Sequence, residues 1–501
     1  MPQAPSRRRA LSALARLFSV VALALVLVPS AAAVDRLSVP ADLKVISYYP
    51  SDAGWTEMWT NWHPAEIARD LDRAVSLHAN TVRAIIQPDT FGWPVLSPLY
   101  AARLQQFVSL AGDRGLHVQL TLFDWWYRWP HVRQSKVWAR ALLTPYIGDP
   151  RIAFVELRNE ILPKPETDRW AKKMIPFLRT LMRGTPVTLS VAGRDPLKRL
   201  TRLKNGLGPV RPDFFDIHYF GGGGGANAYS LFAAAKAIVA PTPLWVGETG
   251  YPTTMEGTGY GGVPQTRPAQ EAAQSHFLAS VAWAAHADGL APAGVWVLDD
   301  LLPSAVPDRV AKDEDPELHF GLFRLDGSEK PAAQIVRVAF DGQTSLDFND
   351  SFEDSVPGES GIPVPAQWQT SGRSVVFTDE RKVAASGSAS ARIAPFGGAG
   401  TGSFSIVPPH GGVREGDAVT VEAWAQRADP NGSVFLVIEW HDRRGHLLGR
   451  VASVPLPTDA TVWQRLIVTG RAPHDAAYAR IDLVAHAVTA PVWFDDVSFT
   501  R

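Results

Sequence analysis

From Lys44 onward the chain alternates between two kinds of pattern. Short runs rich in β-branched residues begin at KVISYY (44), TVRAIIQ (81), HVQLTLF (117), IAFVELRNE (152), PVTLSVAG (186), FFDIHYF (214), PLWVGETG (243) and GVWVLDD (294). They are continuously apolar rather than alternating, as strands covered on both faces are. Between them lie stretches with helical periodicity. Pro64 to His78 carries Ile67, Leu71, Val75 and His78 at helical spacing, and Ala101 to Gly112 ends on a glycine. The run starts are 28 to 37 residues apart except for the last interval, which is 51. Eight strand-helix units over about 300 residues is the arithmetic of an α/β chain folded as a (β/α)8 TIM barrel, here with a long insertion after the seventh strand. A doubly wound open sheet is the competing fold, but no GxGxxG or P-loop follows any run, so the barrel is preferred.

Beyond Phe340 the texture changes. Alternating runs such as VTVEAWAQ (419), VFLVIEW (434), QRLIVTG (464) and ARIDLVA (479) are separated by Gly, Pro, Asp and Asn turns, which predicts an all-β sandwich. The expected domains are therefore residues 34–343 and 344–501. The junction from Asp341 to Leu346 is short and not Pro-rich, so the two are expected to dock rigidly. Residues 1–33 are set apart as a secretory signal peptide. Arg7, Arg8, Arg9 and Arg16 precede an apolar run from Leu17 to Val28, and Ala31 to Ala33 supply a small-residue cleavage site. That run is too short to span a bilayer, so the mature protein is expected to be secreted and free of the membrane.

Composition narrows the chemistry. The 501 residues include 17 Trp and no Cys, which excludes thiol nucleophiles, disulfides, zinc-cysteine sites and iron-sulfur clusters. Catalysis falls to oxygen and nitrogen side chains, with no cofactor expected for it. The net charge is −1, and removing the four leader arginines leaves 45 basic against 50 acidic residues. With no basic stripe, nucleic acid is a poor partner. Nothing in the pattern calls for an oligomer, and a monomer is expected.

Residues at the C-terminal ends of barrel strands face the site. Here they are Arg83 on the second strand, Asp124 after the third, Asn159 and Glu160 on the fourth, His218 on the sixth, Glu248 on the seventh and Trp296 on the eighth. Glu160 and Glu248 both follow buried runs, where a carboxylate is costly without a purpose. Three strand-helix units separate them, so both can face one cavity, as two-carboxylate glycoside hydrolysis requires. Glu156 competes with Glu160. Alternation puts Glu156, Arg158 and Glu160 on one face, and Glu160 is preferred because it lies at the strand end.

The segments ELRNE and VGETGYPT resemble the acid/base and nucleophile motifs of clan A glycoside hydrolases, most closely the cellulase-like family 5, over roughly residues 41–340. The resemblance implies a retaining double displacement on a β-linked glycan, with Glu248 as nucleophile and Glu160 as acid then base. It further implies that Asn159 bonds the sugar 2-hydroxyl and Arg83 supports the nucleophile, with His218 and Trp296 matching the sixth-strand histidine and the eighth-strand aromatic floor. Two departures stand out. LFDWWYRW offers Asp124 and Trp125 where the family carries a histidine, and the sixth-strand His-x-Tyr is His218-Tyr219-Phe220. Tyr219 and Tyr251 are the candidate replacements for the missing tyrosine. The departures keep a non-catalytic glycan-binding barrel open as an alternative, and a transglycosylase would use the same residues.

Seven tryptophans, Trp55, Trp59, Trp62, Trp93, Trp125, Trp126 and Trp129, fall in the first three strand-loop regions, where aromatic faces can stack on sugar rings. About half are expected in packing, and Trp125 and Trp126 cannot both face the cavity. The glycine run Gly221 to Gly225 reads as a flexible loop bordering the site. The C-terminal region resembles carbohydrate-binding jelly rolls through DSFED (350), VEAWAQ (421) and VWFDDVSF (492). Such modules often share a structural calcium, which makes Glu353, Asp495 and Asp496 a candidate site, with plain surface carboxylates as the alternative.

Overall fold

A computed structural model describes residues 37–221, 223–254, 266–307, 310, 315–358 and 361–501. The predicted leader lies outside the described residues, as do Gly222 and part of the long insertion after the seventh strand. Among the described residues no helix is long and apolar enough to cross a membrane.

Eight short strands carry the α/β part: β1 (Val45–Ser47), β2 (Thr81–Ile85), β3 (His117–Thr121), β4 (Ile152–Glu156), β5 (Val187–Thr188), β6 (Ser190–Val191), β7 (Phe215–Tyr219) and β8 (Leu244–Thr249). They form two parallel sheets, β1-β2-β3-β4-β5 and β6-β7-β8. β2, β7 and β8 are buried along their whole length, which is why their sequences run continuously apolar instead of alternating. β5 and β6 are one run, PVTLSVAG, interrupted at Leu189, with one half pairing to β4 and the other to β7.

The predicted eighth strand is a strand of neither sheet. Its backbone still bonds both neighbours. Val295 N donates to Val45 O (3.0 Å) and accepts at its carbonyl from Ser47 N (2.9 Å), while Thr249 N donates to Gly294 O (2.9 Å) and Trp296 N to Thr249 O (2.8 Å). Past Leu298 the chain turns to residues 320–323, where Leu322 N donates to Leu298 O and Asp300 N to Phe323 O, each at 2.9 Å. These bonds use the groups a longer ladder would need.

Ten helices are described: α1 (Glu57–Thr60), α2 (Pro64–Ser76), α3 (Pro98–Gly112), α4 (Val132–Leu143), α5 (Pro165–Leu181), α6 (Pro196–Leu207), α7 (Asn227–Val239), α8 (Arg267–Ala287), α9 (Asp315–Leu318) and α10 (Ala332–Phe340). α2 starts on Pro64, whose fixed φ and missing N–H suit a first turn, and buries Ile67, Leu71 and Ala74. Val75 is exposed and His78 lies beyond the helix with φ 62°, paired to Asp341, so the predicted apolar face shifts by one position.

The C-terminal part is all β. After the small β9 (Ser355–Pro357) and β10 (Pro363–Pro365) pair come β11 (Gln369–Arg373), β12 (Val375–Glu380), β13 (Ser390–Pro395), β14 (Gly400–Ile406), β15 (Ala418–Arg427), β16 (Ser433–His441), β17 (Leu447–Ala452), β18 (Gln464–Arg471), β19 (Tyr478–Val488) and β20 (Val492–Thr500). Two five-stranded antiparallel sheets, β11-β14-β19-β16-β17 and β12-β13-β20-β15-β18, share a core that includes Phe404, Val421, Ile438, Leu483 and Phe494. β15 shows the alternation that predicted it: Val419, Val421, Ala423 and Ala425 are buried, and Trp424 between them is exposed. This part packs on α7 and α8. His276 lies 2.7 Å from Val407 O through Nε2 and 3.0 Å from Gln367 Oε1 through Nδ1, and Arg414 both pairs with Asp288 (2.5 Å) and stacks over the Tyr229 ring (3.7 Å).

Candidate active site

The strand-end residues converge. Asp124, Trp125, Asn159, Glu160, His218, Tyr219, Glu248 and Trp296 all line one cavity of about 820 Å³, with Arg83 buried beneath it.

Arg83 is the hub below the floor. Its Nε donates to Thr121 Oγ1 (3.0 Å), its Nη2 to Glu156 Oε2 (2.9 Å) and Asn159 Oδ1 (2.8 Å), and its Nη1 to Glu248 Oε2. A buried guanidinium is tolerable only with such partners; burial opposes its charge, and Glu156 and Glu248 outweigh that to hold it firmly protonated. Glu156 faces Arg83 and not the cavity. Its Oε2 also accepts from Gln119 (3.1 Å) and Thr121 (2.7 Å), and its Oε1 from Ser190 Oγ (2.5 Å). Burial pushes its carboxyl up, but Arg83, His218 and the two hydroxyls outweigh that and bring it to about 2.

β4 ends at Glu156, so the strict alternation expected through Glu160 does not hold. The chain turns instead, and Glu160 takes a left-handed φ of 46°, a costly conformation for a side-chain-bearing residue, held by its N–H donating to Ser190 Oγ (2.8 Å). This turn aims Glu160 into the cavity with its side chain 40% exposed, against 8% for Glu248. A carboxylate oxygen of each glutamate and a ring nitrogen of His218 lie within 4.8 Å of one another.

His218 stands between the two. Its Nδ1 is 3.0 Å from Glu160 Oε1 and 3.5 Å from Glu248 Oε2. Burial disfavours its charge, but Glu248, the Glu160 bond and Asp216 raise it to about 9, so the ring is protonated at neutral pH. Its charge and hydrogen bond outweigh burial at Glu160 and hold that carboxyl below its usual range. At Glu248 burial wins over His218 and Arg83, and the carboxyl sits above its usual range.

Asp124 pairs with Arg158 (3.0 Å), accepts from Gln87 (3.3 Å) and lies 3.4 Å from Asn159 Nδ2, so it orients Asn159. Trp125 faces the cavity, stacked on Trp55 at 6.4 Å, while Trp126 is buried against Trp93, Trp129 and Trp170. Trp59 is also buried, so the early tryptophans divide between cavity and packing. Of the candidate replacements for the missing tyrosine, Tyr219 is turned away from the cavity floor. Tyr219 turns its hydroxyl to Gly225 O (3.5 Å) and stacks on Phe277, and Tyr251 lines a separate cavity against the all-β part. Arg83 and His218 both touch Glu248.

Two acidic residues of the site were missed. Asp216 lies two residues before His218, and alternation along DIHYF could have found it. Burial lifts it to about 8, and its Oδ1 accepts from Gly247 N (2.8 Å) beneath the site. Glu317, in α9, lines the cavity and is bonded by Trp296; burial first, then the Glu248 and Glu160 charges, raise it to about 7 despite that bond. It lies in a four-residue helix after the eighth run, too short for any periodicity to point to a site.

Among the described residues three acid-histidine groups are compact enough to hold a cation: Glu160-His218-Glu248, Glu156-Asp216-His218 and Asp52-His63-Glu66. The proposed calcium set is not among them. Glu353 accepts from Ser388 N (2.8 Å), Ala389 N (3.2 Å) and Ser388 Oγ (2.6 Å), and Asp495 from Ala385 N (2.6 Å), Ser386 N (3.2 Å) and Asp496 N (2.8 Å). Asp496 accepts from Ser386 Oγ (2.6 Å). These bonds pin the 385–389 loop to the two acidic segments.

No protein-family model matches the chain, and no curated protein matches it. Solved structures do. The GH5_18 protein of Streptomyces cattleya in complex with GlcNAc is 18% identical over 60% of this chain and 80% of its own, with a TM-score of 0.47. The exo-β-1,4-mannosidase Op5Man5 from Opitutaceae bacterium strain TAV5 is 20% identical over 61% of this chain and 62% of its own, at a TM-score of 0.49. A GH5_18 protein from Bifidobacterium longum subsp. infantis is 17% identical over 60% and 79%, at 0.46.

Proposed function

We propose that the chain is a secreted glycosidase that cleaves a β-linked glycan with retention, using Glu248 as nucleophile and Glu160 as acid and base. The observation that carries this is the approach of one oxygen of each carboxylate to within 4.8 Å around His218 and above Arg83. That closeness suits attack by a carboxylate; an inverting pair must leave room for a water and stands about 6.5–9.5 Å apart. The two parallel sheets and the 294–298 segment bonded to β1 and β8 are read as a (β/α)8 barrel whose eighth strand is reduced to a few bonds.

Arg83 holds Glu248 Oε2, which leaves Oε1 to attack the anomeric carbon. As that bond forms, the glycosidic C–O bond breaks, and Glu160 gives its proton to the departing oxygen. Water then attacks the glycosyl-enzyme ester, Glu160 takes the water's proton, and Glu248 leaves as a carboxylate. Asn159, oriented by Asp124 and Arg83, bonds the sugar 2-hydroxyl, while Trp55, Trp125 and Trp296 offer aromatic faces to the rings.

The resting protonation preferences are the reverse of those the reaction needs, and His218 is the group that can exchange them. When sugar oxygens displace its Nδ1–H from Glu160, the same donor is 3.5 Å from Glu248. Moving the hydrogen bond favours the ionised form of the nucleophile and the protonated form of the acid. The test is a panel of aryl β-glycosides with wild type and Glu248→Gln. Turnover of at least one by wild type and a loss of at least about 10³-fold in the variant are expected. Equal rates in both contradict the assignment, and glycan binding with no turnover of any member supports a non-catalytic barrel.

A further inference from the structure

One residue in the wall of the catalytic cavity comes from the all-β part. Arg443 sits in the turn between β16 and β17 and lines the same cavity as Glu160 and Glu248. The turn is firmly built. Asp442 N donates to His446 O (3.0 Å), and Asp442 Oδ1 accepts from Arg444 N (2.8 Å) and His446 N (2.9 Å). It is also seated on α7, where Asn227 Nδ2 donates to Arg443 O (3.0 Å) and Arg443 Nε donates to Ser230 Oγ (3.2 Å). The guanidinium is therefore held at the cavity by its inner edge, with Nη2 3.4 Å from Ser230 O.

Arg194, in the loop after β6, lines the cavity as a second exposed guanidinium. Among the described residues neither arginine has a carboxylate partner within 4.0 Å, whereas Arg83 and Arg158, the cations deeper in the site, are both paired. The neighbouring carboxylates are committed elsewhere: Asp195 caps α6 through Lys198 N (3.0 Å), and Asp442 also meets His446 Nδ1 (3.0 Å). Two uncompensated forked cations at the rim of a sugar cavity, one on each part of the fold, match an oxyanion carried by the ligand.

Building on the glycosidase reading, we propose that Arg443 and Arg194 form a subsite for the anionic substituent of an acidic sugar, a uronate carboxylate, so that the all-β part helps select the substrate. A sulfate ester offers the same oxyanion chemistry. The measurement is inhibition of the best neutral aryl β-glycoside by three matched β-linked disaccharides carrying glucuronate, glucose 6-sulfate or glucose. The wild type is expected to bind the glucuronate compound about tenfold more tightly than the glucose one, with the gap shrinking in 0.5 M NaCl. Arg443→Gln should bring the acidic-to-neutral ratio close to one, and Arg443→Lys should keep most of it. A carboxylate preference supports a uronate, and an equal preference for sulfate supports the oxyanion class. A wild-type ratio near one overturns the subsite, as does an unchanged ratio in Arg443→Gln. If wild type turns over no aryl glycoside, the glycosidase reading fails, and calorimetric titration of the same three compounds still tests the subsite.

Discussion

His218 sets the charge balance of the site, because among the described residues it is the cation that meets both glutamates from within the cavity wall. Its ordinary value is 6.5 and the folded value is about 9, so the folded state binds the proton more tightly. The stabilisation is fully present below about pH 6.5 and is lost as pH rises through about 9, amounting to about 3 kcal/mol. Urea unfolding at pH 6.5 and 9.5 should show this fall, to which Asp216, raised to about 8, adds in the same direction, and His218→Gln should shrink it; an equal fall in the variant would place the titration elsewhere. Glu160→Ala should slow hydrolysis of an aryl glycoside by about 10²–10⁴-fold, with partial recovery when azide replaces the water that Glu160 no longer activates. No recovery, with unchanged rates, would remove its role as base. Arg83, His218 and Glu248 were legible because each lies in a buried strand, and Glu160 because it closely follows the β4 run, although a turn rather than the strand aims it. Glu317 was not, since it lies in a helix of one turn and reaches the cavity only through tertiary folding.

At the scale of elements, the strand frame was readable because two-sided burial leaves a continuous apolar signature in β2, β7 and β8. The eighth run carries the same signature but forms no strand, because residues 320–323 compete for its backbone groups, a long-range contact no local pattern encodes. Contact between this run and β8 depends on two glycines. A Cβ on Gly294 would lie 2.3 Å from Gly247 O, and one on Gly247 would lie 2.3 Å from the Asp216 carboxylate. Gly294→Ala is expected to cost about 1–3 kcal/mol and to lower kcat, since Glu248 and Trp296 flank the contact. Denaturant midpoints and initial rates measured on one preparation check this; a variant matching wild type in both would show that the 294–298 segment does not position the site.

The whole molecule ties its two parts together more closely than the short junction at Asp341 to Leu346 suggested. The sequence there predicted docking, but not its residues, because Arg414, Arg501 and His276 look like any surface residues until the fold places the two arginines against Asp288, Tyr229 and Trp283 and His276 against Val407 and Gln367. Calorimetry should show one unfolding transition for wild type, and Arg414→Ala with Arg501→Ala should separate it into two; two transitions in wild type would contradict the tight docking. The central claim is that Glu248 forms a covalent bond to sugar in a site that Glu160 serves. A 2-deoxy-2-fluoro β-glycoside with a good leaving group slows the second step and lets the first accumulate, so mass spectrometry of the inactivated protein and its peptides reads the nucleophile directly. The account predicts one sugar per chain, attached to the peptide at Glu248 and absent from Glu248→Gln. Attachment to Glu160, Glu317 or another carboxylate would contradict it.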